Sequence, residues 1–177
     1  MERKPHRRNM PLPGRWLRRR GYGIHSPFIY ALARDMVSAG RGAYGESPLY
    51  GALTAEGVGK AAAQRLCAME RYFAAQRTEV YVSSGSGPVY ENGREEPGRW
   101  KRFTILCVNE GGAALPEGME KNLGPGTGNI VAITGRRRVR QNICMAIAAF
   151  GECLCIDMRG ISVYICDDNL PVGQYNM

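Results

Sequence analysis

Along this chain, apolar residues recur first at helical spacing and later in short continuous runs, and the clearest succession fills the last fifty residues. Gly128-Asn129-Ile130-Val131-Ala132-Ile133-Thr134 reads as a buried strand, and Arg136 to Phe150 as the helix that follows it. Two further apolar runs, Cys153 to Met158 and Ile161 to Cys166, are split only by Arg159-Gly160 and read as a tight pair of strands. Strand, helix and strand pair together predict a mainly parallel α/β sheet that finishes on an antiparallel edge.

Upstream, Ser26 suits a helix cap and Pro27 its first turn, where the missing N–H costs nothing. Phe28, Ile29, Leu32, Ala33, Met36 and Val37 then form an apolar helical stripe that Gly40 stops. A loop rich in Gly and Tyr (Gly42 to Gly51) leads to a second helix, expected to start near Thr54, with Val58, Ala62, Leu66, Met69 and Phe73 on its apolar side. Gly57 and Gly59 weaken its first turn by about 1 kcal/mol each relative to Ala. Glu79 to Val82 reads as a short strand running into a glycine-rich loop, Ser83-Ser84-Gly85-Ser86-Gly87-Pro88. Glu91 to Arg99 has no apolar period and reads as a loop or a hairpin tip around Asn92-Gly93. Phe103 to Val108 is a buried strand ending at Asn109-Glu110-Gly111-Gly112, and 113–128 holds at most a turn of helix at Glu117 to Asn122. The expected organisation is an arm (1–20), a helical N-terminal cap (21–78) and an α/β sheet domain of five strands (79–177).

Charge changes this picture only at one end. Of the formal net charge of +8, the first twenty residues carry +7: eight Lys/Arg against Glu2. The remaining 157 residues hold 16 basic and 15 acidic side chains, so the body is nearly neutral. With Pro5, Pro11, Pro13 and Gly14, the arm is expected to be mobile. It either binds phosphate, on nucleic acid or an anionic surface, or is a solvated terminus that packs Trp16 on the body. No apolar run follows Met1-Glu2-Arg3-Lys4 as a secretory leader needs, and none approaches the roughly twenty residues of a membrane span. Six cysteines, at 67, 107, 144, 153, 155 and 166, form no C-x-x-C pair, and the only histidines are His6 and His25. Buried, reduced thiols in a cytoplasmic protein and no metal site are therefore expected.

Gly23-Ile24-His25-Ser26-Pro27-Phe28, followed by an apolar helix, resembles the opening of a group of small bacterial class I SAM-dependent methyltransferase-like proteins. Cys155-Ile156-Asp157-Met158 with Gly160, Ile161 and Val163 is similar to the last two strands of that fold, where the final strand inserts antiparallel. The resemblance covers about residues 21–40 and 128–175. It implies a Rossmann-like sheet, S-adenosyl-L-methionine as cofactor and methyl transfer to a small acceptor. The family's acid-x-Gly-x-Gly cofactor loop has its nearest equivalent at Ser83, Gly85 and Gly87, with Ser83 in the acidic position. The acid that would hold the ribose falls on Glu110. The family has seven strands against the five read here, and Pro88 with the polar run to Arg99 denies a helix after the loop. A central segment is shortened or missing, and the chain is either a reduced enzyme or a degenerate, non-catalytic binding module.

Each candidate has a plain alternative. A Ser83–Gly87 loop lets backbone approach a ligand, or is a flexible turn. Glu110, at the carboxyl end of a buried strand, grips a ribose diol or is an exposed loop acid. His25 is a general base, or satisfies a carbonyl and fixes the helix start. Arg136, Arg137, Arg138 and Arg140 crowd a helix start, where the macrodipole disfavours cations by up to about 1 kcal/mol each. They meet a substrate carboxylate, a phosphate or acidic side chains of a neighbouring loop, or they are solvated.

Overall fold

The structure, a computed structural model, describes residues 28, 30–32, 34, 47–82, 85–91, 99–108, 115, 117–124, 126–151, 153–167, 169–170 and 173–176. Phe28, Tyr30, Ala31, Leu32 and Arg34 are helical. Then come α1 (Pro48–Ala55), α2 (Lys60–Phe73), β1 (Arg77–Val82), β2 (Gly85–Glu91) and β3 (Arg102–Val108). A 3-10 turn (Met119–Asn122), β4 (Asn129–Gly135), α3 (Arg137–Ala148), β5 (Leu154–Met158), β6 (Ile161–Cys166) and β7 (Gly173–Asn176) complete the order.

Among the described residues, seven strands form one sheet in the order β2-β1-β3-β4-β6-β5-β7. β1, β3 and β4 are parallel neighbours, as are β5 and β7; β2 is antiparallel to β1, and β6 to both β4 and β5. The strand pair read from Cys153 to Cys166 is a hairpin, with Met158 opposite Ile161 and Gly160 at a positive φ of 86° in the turn. The two strands beyond the five expected lie at the sheet's edges, and both begin with glycine.

Side-chain alternation sends each strand's residues to two faces. On one face, Val80, Phe103, Ile105, Ile130, Ala132, Ile156, Val163 and Ile165 share a core with Leu49 and Leu53 of α1, with Leu66, Met69 and Phe73 of α2, and with Leu32. Trp100 closes its lower end, its ring 5.4 Å from Phe73, edge on. On the other face, Leu106, Val131, Ile133, Cys155 and Tyr164 pack against Ile143 and Ile147 of α3 and against Met119 and Leu123. The arrangement is three layers, helices on both faces of a mixed sheet.

The second helix of the sequence reading is two helices. Pro48 occupies the first turn of α1, and Leu49 and Leu53 supply its buried side, so Pro48 to Gly51 is helix where a loop was expected. Gly57, at φ 79°, ends that helix, and Gly59 caps α2. α2 ends on Ala74 in the left-handed region, at φ 48°.

Candidate functional site

Open α/β sheets place ligands beyond the carboxyl ends of their parallel strands. Here those ends are Val82, Val108, Gly135 and Met158. His25, Ser83 and Glu110, three of the residues singled out in the sequence, lie outside the described residues. Gly85 and Gly87 do not form a loop. They begin β2, with Gly85 opposite Val82 and Ser86 opposite Tyr81, so β1 turns back on itself within two residues. The ladder shifts between Glu79 and Tyr81, where glycine-rich β2 accommodates an irregularity in pairing. β2 follows β1 as its antiparallel partner, so no helix follows β1 directly, and the hairpin tip expected around Asn92-Gly93 lies outside the described residues.

The late arginines separate. Arg136, Arg137 and Arg138 are exposed at the start of α3, whereas Arg140 is 5% exposed and turned onto the sheet. Its Nη1 donates to the Gly135 carbonyl at 2.6 Å, its Nε to Ser162 Oγ at 3.2 Å, and its Nη2 reaches Asp157 Oδ1 at 3.5 Å. Ser162 in turn donates to Asp157 at 2.9 Å. The anion beside Arg140 is thus the carboxylate of Asp157, in the neighbouring strand β5. Gly135 lets this corner form: its φ is 120°, and a Cβ there would collide with the Val108 carbonyl oxygen.

One helical turn further on, Cys144 faces Cys155 and Tyr164, whose hydroxyl donates to the Cys144 carbonyl at 3.0 Å. Hydrogen bonding from Cys155, helped by Tyr164 and Ser162, lowers the Cys144 thiol to about 7. The same bond, together with burial, raises Cys155, and burial raises Tyr164. The cluster is packed beneath α3.

A cavity does open at the opposite, amino end of the parallel strands. Gln76, Arg77, Lys101, Arg102, Lys121, Thr127 and Asn129 line a space of about 410 Å³. Parallel pairing builds it: Arg77 lies in register with Arg102, and Arg102 with Asn129, so three strand starts converge. Glu79, 7% exposed, accepts from Arg77 Nε at 2.8 Å and lies 3.5 Å from Arg102 Nε, while Tyr81 donates to its other oxygen at 3.2 Å. Four cations therefore line the cavity with one buried carboxylate behind them. Lys101 is exposed at the start of β3, and Lys121 is exposed in the 3-10 turn. Among the described residues no group of three or more His, Cys, Asp or Glu could hold a metal ion.

None of these cavity residues stood out in the sequence. The one available signal is that a basic pair or residue immediately precedes the apolar run of two strands, Arg77 before Thr78-Glu79-Val80 and Lys101-Arg102 before Phe103. Their convergence depends on which strands pair, and in which direction. No helix of the described residues is long and apolar enough to cross a membrane. Compared with protein-family models, curated proteins and solved structures, the chain matches none.

Proposed function

We propose that this chain is a binding module for a small phosphate-bearing ligand, held in the cation-lined cavity at the amino ends of β1, β3 and β4. The observation that carries the proposal is the gathering of Arg77, Lys101, Arg102 and Lys121 around one space. Like charges a few ångströms apart repel by about 4 kcal/mol per pair near a surface before screening. Glu79 offsets part of this for the two arginines only. A phosphate supplies the missing negative charge, and arginine and lysine are the side chains that bind it best, the first through a planar fork of donors. A volume of about 410 Å³ suits a nucleotide-sized molecule better than a polymer, which requires an extended basic track.

Calorimetric titration of the full chain with pyrophosphate and with a nucleoside diphosphate tests this. Saturable binding that weakens steeply with salt is expected, at least tenfold weaker in Lys101→Ala/Lys121→Ala and unchanged on deletion of residues 1–20. Binding lost with the arm but kept in the lysine variant moves the site to the arm. Absence of binding by either probe at millimolar concentration overturns the proposal.

Methyl transfer from S-adenosyl-L-methionine is the second proposal, favoured by one observation: β6 inserts antiparallel between β4 and β5, as the resemblance implies. The cofactor would lie around Ser83, Gly85, Gly87 and Glu110 and the acceptor near His25; of these, Ser83, Glu110 and His25 lie outside the described residues. Methyl transfer relies on alignment of two reactants more than on a fixed catalytic set. Titration with S-adenosyl-L-methionine and its demethylated product decides it, and the absence of heat with both removes it. The arm at 1–20 and its anionic partners, nucleic acid or an anionic surface, stay with the non-catalytic proposal, their test being salt-dependent affinity that vanishes with the arm.

A further inference from the structure

We propose that Cys153 and Cys166 form a redox pair that closes to a cross-strand disulfide by exchange with a low-molecular-weight disulfide. Leu154 lies opposite Ile165 in the β5–β6 ladder, so continuing the register by one step sets Cys153 opposite Cys166. Their sulfurs are 3.0 Å apart. Directly opposed antiparallel residues have Cα atoms about 4.5–5.5 Å apart. A disulfide accepts Cα separations of about 4.4–6.8 Å, so the sulfurs need close by only about 1 Å to bond, without backbone rearrangement. Both cysteines are reduced, and they differ in access: Cys166 is fully buried and Cys153 is half-buried.

That difference sets the order of events. The Cys153 S–H points to the Cys166 sulfur, which the Gly124 N–H also approaches, and these two donors hold the Cys166 thiol down to about 7 against the effect of burial. The lowered Cys166 thiol eases loss of one proton from the pair, and the short S–H···S contact lets the remaining proton pass between the two sulfurs. Exchange starts at the reachable sulfur. The Cys153 thiolate attacks the small disulfide, a protein–small-molecule S–S bond forms, and one small thiolate leaves. Cys166 gives up its proton and attacks Cys153, the mixed S–S bond breaks, and the second small thiolate leaves. Two protein thiols are oxidised by two electrons and the small disulfide is reduced to two small thiolates; the proton that Cys166 gives up goes to one, and the proton the pair released on ionising returns from solvent to the other. Cys67 and Cys107 do not compete as a pair: burial raises both to about 11, and they stand in different elements. Cys144 faces Cys155, and these two form the competing pair that peptide mapping distinguishes.

The experiment is incubation of the reduced full chain with oxidised glutathione, followed by intact mass and peptide mapping. The expected product is lighter by two hydrogens, carries no glutathione, and yields a linked pair of peptides containing Cys153 and Cys166. Of six thiols, two disappear. Cys166→Ser is expected to trap glutathione on Cys153, and Cys153→Ser to leave Cys166 unmodified. Cys153→Ala repeats the second test should the serine variant fold poorly. A glutathione adduct that persists on wild-type Cys153, a disulfide between other cysteines, or an unchanged mass overturns the proposal.

Discussion

Replacing Arg140 by methionine removes a buried guanidinium that ties α3 to the ends of β4, β5 and β6. Three contacts are lost at once, to the Gly135 carbonyl, to Ser162 and to Asp157. A hydrogen bond involving a charged group contributes about 1.5–3 kcal/mol net, and breaking a buried ion pair from one side costs about 3–5 kcal/mol. Two features reduce the loss here. The Asp157 side chain is 21% exposed and keeps its bond from Ser162, so its charge is not stranded. Methionine also refills most of the volume and is a good helix former. The expected destabilisation of Arg140→Met is therefore about 3 kcal/mol, the bond to Gly135 contributing most. Urea unfolding followed by the fluorescence of buried Trp100 reads it as a fall in midpoint at unchanged slope. Asp157→Asn is expected to cost about 1 kcal/mol, with a coupling of about 1 kcal/mol in the double variant. Arg137→Ala and Arg138→Ala, at exposed positions, should stay within about 0.5 kcal/mol of the parent. A loss below about 1 kcal/mol for Arg140→Met refutes the assignment of Arg140 as a structural tie.

Gly135→Ala is expected to destabilise by about 3 kcal/mol or more, since the Cβ meets backbone at a φ of 120°; thermal unfolding measures it, and a neutral result removes the steric argument. Thr78 is fully buried and its hydroxyl has no hydrogen-bond partner, so Thr78→Val should stabilise by about 1 kcal/mol in the same assay, and a loss of stability counts against that burial. The Asp167 carboxyl is held below its ordinary value of 3.8, first by the hydrogen bond from Arg99 at 2.7 Å. A lowered folded-state value means that its stabilising effect is present above 3.8 and is lost as pH falls through the folded value. Asp167→Asn should therefore lower stability at neutral pH and flatten the acid side of the stability profile; parallel profiles for the two proteins would exclude this link.

The interior of the sheet was legible because its strands are continuous apolar runs: Phe103 to Val108, Asn129 to Thr134 and the hairpin on either side of Arg159-Gly160. So was the stripe of α2, where Ala62, Leu66, Met69 and Phe73 keep helical spacing. The edge strands were not. β2 opens with Gly-Ser-Gly-Pro, which carries no apolar alternation and imitates a loop, and its strand character comes from the ladder with β1. β7 is four residues long and is held in a parallel pair with β5. The cavity was invisible for a related reason: its cations are adjacent only through parallel registers between strands about 25 residues apart, and a strand's partner is not written in its own residues. Arg140 differs from Arg137 and Arg138 by facing the sheet, as Ile143 and Ile147 do at helical spacing, so its burial was implicit in the pattern of α3.

The place of β6 has a consequence for biosynthesis. Because β4 is flanked by β3 and β6, one whole side of this buried strand waits, as the chain leaves the ribosome, for residues 161–166. Until then β4 presents a row of unpaired amides and carbonyls along an apolar strand, the kind of edge that recruits other chains. Chains stopped after residue 150 should therefore need a chaperone or aggregate, whereas chains stopped after residue 170, lacking only the edge strand β7, should stay monomeric in a sedimentation assay.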